Sequence, residues 1–213
     1  MKLYDYAFSP NCRQVRAVAY ELGTELEYIH VDLLKGASRR PDFLKLNPNG
    51  LVPVLADGDF LLSESTAIIR FLSAKRAGAL MPATPHGRAD VDRWLAWHLA
   101  HLGPAMSTVA GERILKKLAG QGTPDEATIA KGSAEFARLS AILDRALEQR
   151  GYLAGTLSVA DFSLASFYSL AETCGLDVGP WRHLRTWLTR MLARPSMQRA
   201  LDDARVIMSS HAA

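Results

Sequence analysis

The hydrophobic period of this 213-residue chain changes once, near residue 77, and that change limits the fold more than any single motif does. Before it, short apolar runs alternate with helical spacing; after it, only helical spacing remains. Residues 3–6 are short and aromatic, as a strand requires. Pro10 falls where a first helical turn accepts proline. Val15, Val18, Ala19 and Leu22 follow at helical spacing, and Gly23 ends that helix. Residues 26–31 alternate as a second strand, and residues 41–46 form a short helical piece. Asn47-Pro48-Asn49-Gly50 is a strong turn signal. Residues 51–56 and 59–62 are apolar runs joined at Asp57-Gly58, the favoured chemistry of a two-residue hairpin. Residues 64–75 are helical, with Ala67, Ile68, Phe71 and Leu72 on one face. The order β-α-β-α-β-β-α makes the first two strands parallel and gives the sheet an antiparallel edge.

Residues 78–86, with Gly78, Pro82 and Pro85, read as a linker. A long helix over 88–117 follows, then a break at 120–124. A second long helix over 125–150 carries Phe136, Leu139, Ile142, Leu143 and Leu147 as its core stripe. Three shorter helices begin near Val159, Trp181 and Ser196. The expected fold is α/β plus all-α: a small α/β domain over 1–77 and an all-helical domain over 87–213.

Composition removes several function classes. A net charge of +3, with Arg182, Arg185, Arg190, Arg194, Arg199 and Arg205 scattered over helix faces, gives no compact basic patch for nucleic acid. Cys12 and Cys174 make neither a disulfide framework nor a structural zinc site, so a reducing compartment and no metal are expected. The opening Met-Lys-Leu-Tyr-Asp-Tyr has no signal-peptide pattern, and no stretch has the length of a membrane span. A cytoplasmic protein is expected.

Four short constellations carry chemistry. Val52-Pro53 interrupts a strand pattern with a residue that cannot donate to a ladder. It is either an edge proline or a cis peptide that presents the Val52 main chain to a ligand backbone, as an added strand would be paired. Ser63-Glu64-Ser65-Thr66 opens a helix. Ser63 is the N-cap candidate, and the helix end favours a carboxylate. Ser65 can meet that carboxylate and Glu64 an ammonium group, or both residues simply cap. Ser9-Pro10-Asn11-Cys12 places Ser9 at another helix start, as a cap or as a donor to a bound sulfur anion. Ser158-Val159-Ala160-Asp161 is a capping-box variant with a structural role.

Together Ser9-Pro10-Asn11-Cys12-Arg13, Asn47-Pro48-Asn49-Gly50-Leu51-Val52-Pro53-Val54-Leu55, Glu64-Ser65 and Ser158-Val159-Ala160-Asp161 resemble, in order and over nearly the whole chain, the soluble glutathione S-transferases, and within them the bacterial theta-like members. The resemblance implies a thioredoxin-like glutathione-binding domain, an all-helical domain that shapes an electrophile pocket, and a homodimer. It implies Ser9 as the serine that activates the glutathione thiol. Val52 would pair with the cysteinyl moiety before a cis-proline at Pro53, and Glu64 and Ser65 would hold the γ-glutamyl group. Asp161 matches the acid that stabilises the family's sixth helix. The electrophile pocket would use Ala7, Phe8 and the fourth helix with Trp94, Trp97, His98, His101 and Met106. Trp94, His98 and His101 share one helical face.

Three departures stand out. Where many relatives have a lysine before Val-Pro, this chain has Leu51. Where a histidine or lysine often holds the glycyl carboxylate, Ser38, Arg39 and Arg40 fall nearby, and Arg39 is the replacement candidate. Ala100 and His101 stand near the place of an acid that theta relatives send across the dimer; Arg70 and the fourth helix are interface candidates. The implied activity is conjugation of glutathione to small hydrophobic electrophiles. Its alternatives are thiol–disulfide exchange at an exposed Cys12 and a non-enzymatic binding or partner role.

Overall fold

A computed structural model describes residues 1–211, with side chains to residue 206. It divides into two compact units, residues 1–80 with 193–213, and residues 81–192.

In the first unit, β1 (Lys2–Asp5), α1 (Pro10–Glu21), β2 (Glu27–His30), α2 (Pro41–Leu44), β3 (Val54–Asp57), β4 (Phe60–Leu62) and α3 (Ser65–Lys75) follow the order the sequence predicts. The sheet runs β2-β1-β3-β4, parallel between β1 and β2 and antiparallel elsewhere. Leu3, Val15, Val18, Val54, Leu55, Ile68, Ile69 and Leu72 are fully buried. Each such side chain contributes about 1.5–3 kcal/mol of transfer free energy, which is what holds the two helices on the sheet.

Two details differ from the sequence pattern. Asp57 pairs with Phe60, so the hairpin loop is Gly58-Asp59, one residue later than Asp57-Gly58. Gly58, with φ of 62°, takes the first loop position, where a positive φ needs glycine. β3 begins at Val54 rather than at residue 51, because the proline before it has no N–H for a ladder.

The last helix, α10 (Pro195–His211), packs on α1 within this unit. Arg16 bridges Asp5 at 2.5 Å and Asp203 at 2.7 Å, and the Tyr20 hydroxyl donates to Asp203 at 2.6 Å. Arg194 and Ser196 hold Glu21. Contacts therefore group residues 193–213 with the α/β segment, whereas sequence periodicity alone places all of 87–213 in one helical run.

The second unit is helical. Its first helical run comprises α4 (Pro85–Trp97), a π-helical stretch His98–Leu102, α5 (Gly103–Ala110), a second π-helical stretch Gly111–Leu115 and α6 (Lys116–Leu118). It starts at Pro85, inside the segment read as linker, because proline suits the first turn and the Thr84 hydroxyl caps the N–H of Gly87. The first π stretch ends just before Pro104. Proline has no N–H for the carbonyl four residues back and its ring crowds that carbonyl, and a wider turn relieves both conflicts. Burial then steps through Trp94, His98, Leu102 and Met106, while His101 turns outward, so His101 does not share their face.

α7 (Glu126–Leu147), α8 (Val159–Tyr168) and α9 (Arg182–Leu192) complete this unit. The buried stripe of α7 is Ile129, Gly132, Phe136, Leu139, Ser140, Leu143 and Leu147. Ile142, expected in the core, is 41% exposed. Its neighbours Leu139 and Leu143 already fill the inward face at the i, i+4 spacing.

At the start of α8 the capping box is formed. The Asp161 carboxylate accepts from the Ser158 N–H and hydroxyl, both at 2.9 Å. It also accepts from the Leu153 N–H at 3.0 Å and the Trp187 indole N–H at 2.9 Å. One fully buried carboxyl thus ties three segments of the unit. Burial raises its pKa, and these four donors pull the other way.

His98 supplies a pH-dependent contribution to this unit. Its Nδ1 lies 2.8 Å from Ser163 Oγ and its ring meets Phe167 edge-on. Burial lowers its pKa from 6.5 to about 4. The folded state therefore holds neutral imidazole, while the unfolded chain protonates near 6.5. The stabilisation is complete above that pH and is lost as pH falls through about 4, a difference of about 3 kcal/mol. In chemical denaturation between these pH values, His98→Phe is expected to flatten the decline of unfolding free energy. An unchanged slope would refute this role for His98.

Candidate active site

The loop before β3 is built by short-range chemistry. Asn47 organises the loop. Its side-chain amide donates to the Leu51 carbonyl at 2.8 Å, its Oδ1 accepts the Asn49 N–H at 3.1 Å, and its carbonyl accepts the Gly50 N–H at 2.9 Å. The Asn47-Pro48 turn signal is thus an Asx-type turn, and Asn47 is a structural residue of the site that sequence reasoning took only as punctuation. Gly50 has φ of 64°, and a Cβ there would come within 2.8 Å of Arg39 Nη1.

Arg39, from the 3-10 turn Ala37–Arg39 before α2, reaches this loop, with Nη1 donating to the Asn49 carbonyl at 3.0 Å, and the residue is exposed. Ser38 is buried behind it. The peptide between Val52 and Pro53 is cis. The Val52 side chain packs against the Val31, Phe43 and Val54 cluster. β4 ends opposite Leu55, three residues beyond Val52, so its pairing does not reach Val52. Leu51, at the place of the missing cation, is 57% exposed.

The start of α3 differs from the expected cap. Glu64, not Ser63, holds the cap position, with φ of 68° and ψ of 108°, and its side chain makes no capping bond. A non-glycine residue held there costs on the order of 1–3 kcal/mol, and such strain concentrates at functional sites. Glu64 is exposed, whereas Ser65 is buried. With no acidic residue in its first turn and no capping bond from Glu64, the first N–H groups and positive dipole end of α3 have no side-chain anion bonded to them.

Ser9 caps α1 by backbone geometry, with φ of −66° and ψ of 127°, yet its hydroxyl caps no main-chain N–H of that helix. The first turn of α1 has no acid. Arg13, fully within α1, is 2% exposed and donates from Nη2 to the Phe8 carbonyl at 3.2 Å, which fixes the loop leading into Ser9. Burial lowers its pKa to about 10, so it stays cationic at neutral pH. An arginine inside the helical pattern of α1 was the available sequence signal, and periodicity alone did not flag it.

Cys12 is fully buried and accepts the Tyr6 N–H at 3.4 Å. Burial and the charge of Asp5 push its thiol far above the usual range, outweighing Tyr6, Ser9 and Arg16. Thiol–disulfide exchange needs an accessible, low-pKa thiolate, and Cys12 offers neither. In the helical unit, His98 is committed to Ser163, and His101 lies exposed beside Trp97.

Residues 3–79 match the glutathione S-transferase N-terminal domain and residues 97–195 its C-terminal domain. The chain is 35% identical to glutathione S-transferase 3 of Zea mays over 94% of this chain and 93% of that one. It resembles glutathione transferase F7 of Populus trichocarpa with a TM-score of 0.89 at 25% identity, covering 95% of this chain and 98% of that one. A theta class glutathione S-transferase from Xanthomonas axonopodis pv. citri, solved with glutathione bound, aligns with a TM-score of 0.85 at 32% identity over 93% and 95% of the two chains. The chain belongs to the glutathione S-transferase family, with a thioredoxin-like N-terminal domain followed by an all-helical one. Its relatives include plant and bacterial transferases and do not single out the bacterial theta-like group.

Proposed function

We propose that this enzyme binds glutathione on its α/β unit and conjugates the thiolate to small hydrophobic electrophiles. The observation that carries the reading is two helix starts, at Ser9 and Ser65, joined by side-chain hydrogen bonds and both without acids in their first turn, together with a cis Val52-Pro53 peptide, in the same unit, whose main chain β4 does not cover. In this reading the Val52 N–H and C=O pair with the cysteinyl main chain, as a strand edge pairs with an added strand. The Glu64 carboxylate receives the γ-glutamyl ammonium, the α3 start receives its carboxylate, and Arg39 the glycyl carboxylate.

The sulfur then lies by Ser9. The Ser9 hydroxyl donates to it, and the end of α1 favours its negative charge. The thiol loses its proton to solvent at a lower pH than free thiol does, each unit of lowering being worth about 1.4 kcal/mol. The sulfur lone pair forms a C–S bond to the electrophilic carbon, and that carbon releases its leaving group or opens its ring with the bonding pair. A homodimer, a cytoplasmic location and a bacterial theta-like kinship belong to the same reading. The Xanthomonas relative bears that class name at 32% identity, while the Zea mays relative stands at 35%. Among the described residues, no helix is long and apolar enough to cross a membrane.

The test is a panel of aryl halides, epoxides, isomerisable acids and peroxides with glutathione. Conjugate formation with an aryl halide or an epoxide supports the reading, turnover of the isomerisable acids or peroxides alone points to a different glutathione-dependent reaction, and glutathione binding without turnover of any supports a partner role instead. Leu51 gives a second check. An exposed ion pair is worth about 0.2–1 kcal/mol, so Leu51→Lys is expected to tighten glutathione binding by up to about fivefold in titration calorimetry. Unchanged affinity would show that the missing cation at position 51 costs no binding.

A further inference from the structure

We propose that Gln14 is a positioning residue for glutathione: with Asn11 it locks the Ser65 hydroxyl, so that the main-chain N–H at the start of α3, not the hydroxyl, meets the γ-glutamyl carboxylate. This rests on the glutathione-site reading of Ser65. Gln14 is fully buried. Its Nε2 donates to Ser65 Oγ at 3.0 Å and lies 3.3 Å from Asn11 Oδ1. Ser65 Oγ donates in turn to Asn11 Oδ1 at 3.1 Å. A serine hydroxyl has one hydrogen. While this triangle stands, that hydrogen belongs to Asn11 and a lone pair belongs to Gln14. What Ser65 can still give an incoming carboxylate is its main-chain N–H.

The triangle spans 54 residues of sequence and ties the N-terminal part of α1 to the start of α3, the helices whose starts carry Ser9 and Ser65. It thereby fixes the carboxylate end of the ligand against the helix that holds its sulfur. Among the described residues, Gln14 Oε1 is buried without a hydrogen-bond partner. An unpaired buried acceptor lowers stability, and a methionine of similar length would not carry that cost. A glutamine is explained here by what its Nε2 does for Ser65.

Gln14→Met keeps the shape and removes the amide. The KM for glutathione is expected to rise about tenfold, as for loss of one well-placed hydrogen-bonding partner. The kcat at saturating glutathione and the KM for the electrophile should stay within about twofold, because the effect is on ground-state binding. In a Ser65→Ala background the same substitution should change the glutathione KM by less than about twofold, since Gln14 acts through Ser65. An unchanged KM in Gln14→Met, or an equal rise in both backgrounds, overturns the proposal. If Gln14→Met does not fold, Asn11→Ala at a partly exposed position gives the same two readings. Calorimetry of the unmodified protein separates the levels. No glutathione binding there defeats the site reading itself; normal binding without coupling to Ser65 defeats only the role of Gln14.

Discussion

Replacing Ser9 by alanine is expected to lower the conjugation rate about 10²-fold with little change in glutathione affinity. The hydroxyl is at the start of α1, does not cap it, and follows a loop fixed by Arg13. Its proposed work is one hydrogen bond to a developing sulfur anion. Loss of a single preorganised donor of this kind costs about 10²–10³ in kcat. The end of α1 and the Arg13 cation persist in the variant, which places the expected loss at the lower bound. The bound thiol should also ionise at higher pH, so the rising limb of the pH–rate profile moves upward. Steady-state kinetics across pH checks both points. A kcat within about twofold of the parent, with an unmoved profile, would take the activating role from Ser9.

The second large effect is on stability. Asp161→Ala is expected to destabilise the helical unit by about 3–5 kcal/mol, the range for removing one partner of a buried polar cluster. The Leu153 N–H, the Ser158 N–H and hydroxyl, and the Trp187 indole N–H all lose their acceptor at once. Asp161→Asn should not rescue it. Whichever way the amide points, its NH2 group faces donors, either the Ser158 pair or Leu153 and Trp187. Chemical denaturation with tryptophan fluorescence reads this directly, because Trp187 is one of the partners. Wild-type stability in either variant would show that the cluster contributes nothing net.

How much of this was legible beforehand depended on range. The strand and helix order of the first eighty residues follows from local period and turn chemistry, and so does the capping box of Ser158 and Asp161. The alternative left open at Val52-Pro53 is resolved as cis, which no local pattern decides. The hairpin loop moved by one residue because cross-strand pairing of Asp57 with Phe60, not the Asp-Gly dipeptide, sets the register. Ile142 fitted a helical stripe that is already complete without it. His101 left the face of Trp94 where the helix widens before Pro104. Gln14 and Asn11 were invisible as site residues, since their partner Ser65 is brought to them only by the fold. By residue type Ser63 is the favoured cap. The positive φ of Glu64, imposed between β4 and α3, gave that position to the acid instead.

The claim on which the mechanism depends is where the tripeptide lies. A crystal structure with an S-substituted glutathione measures it. The expected result is the cysteinyl main chain paired with the Val52 N–H and C=O, the γ-glutamyl carboxylate at the Ser65 N–H, and the sulfur within hydrogen-bond distance of Ser9 Oγ. A ligand seated away from Val52, or one whose sulfur faces away from Ser9, would contradict it.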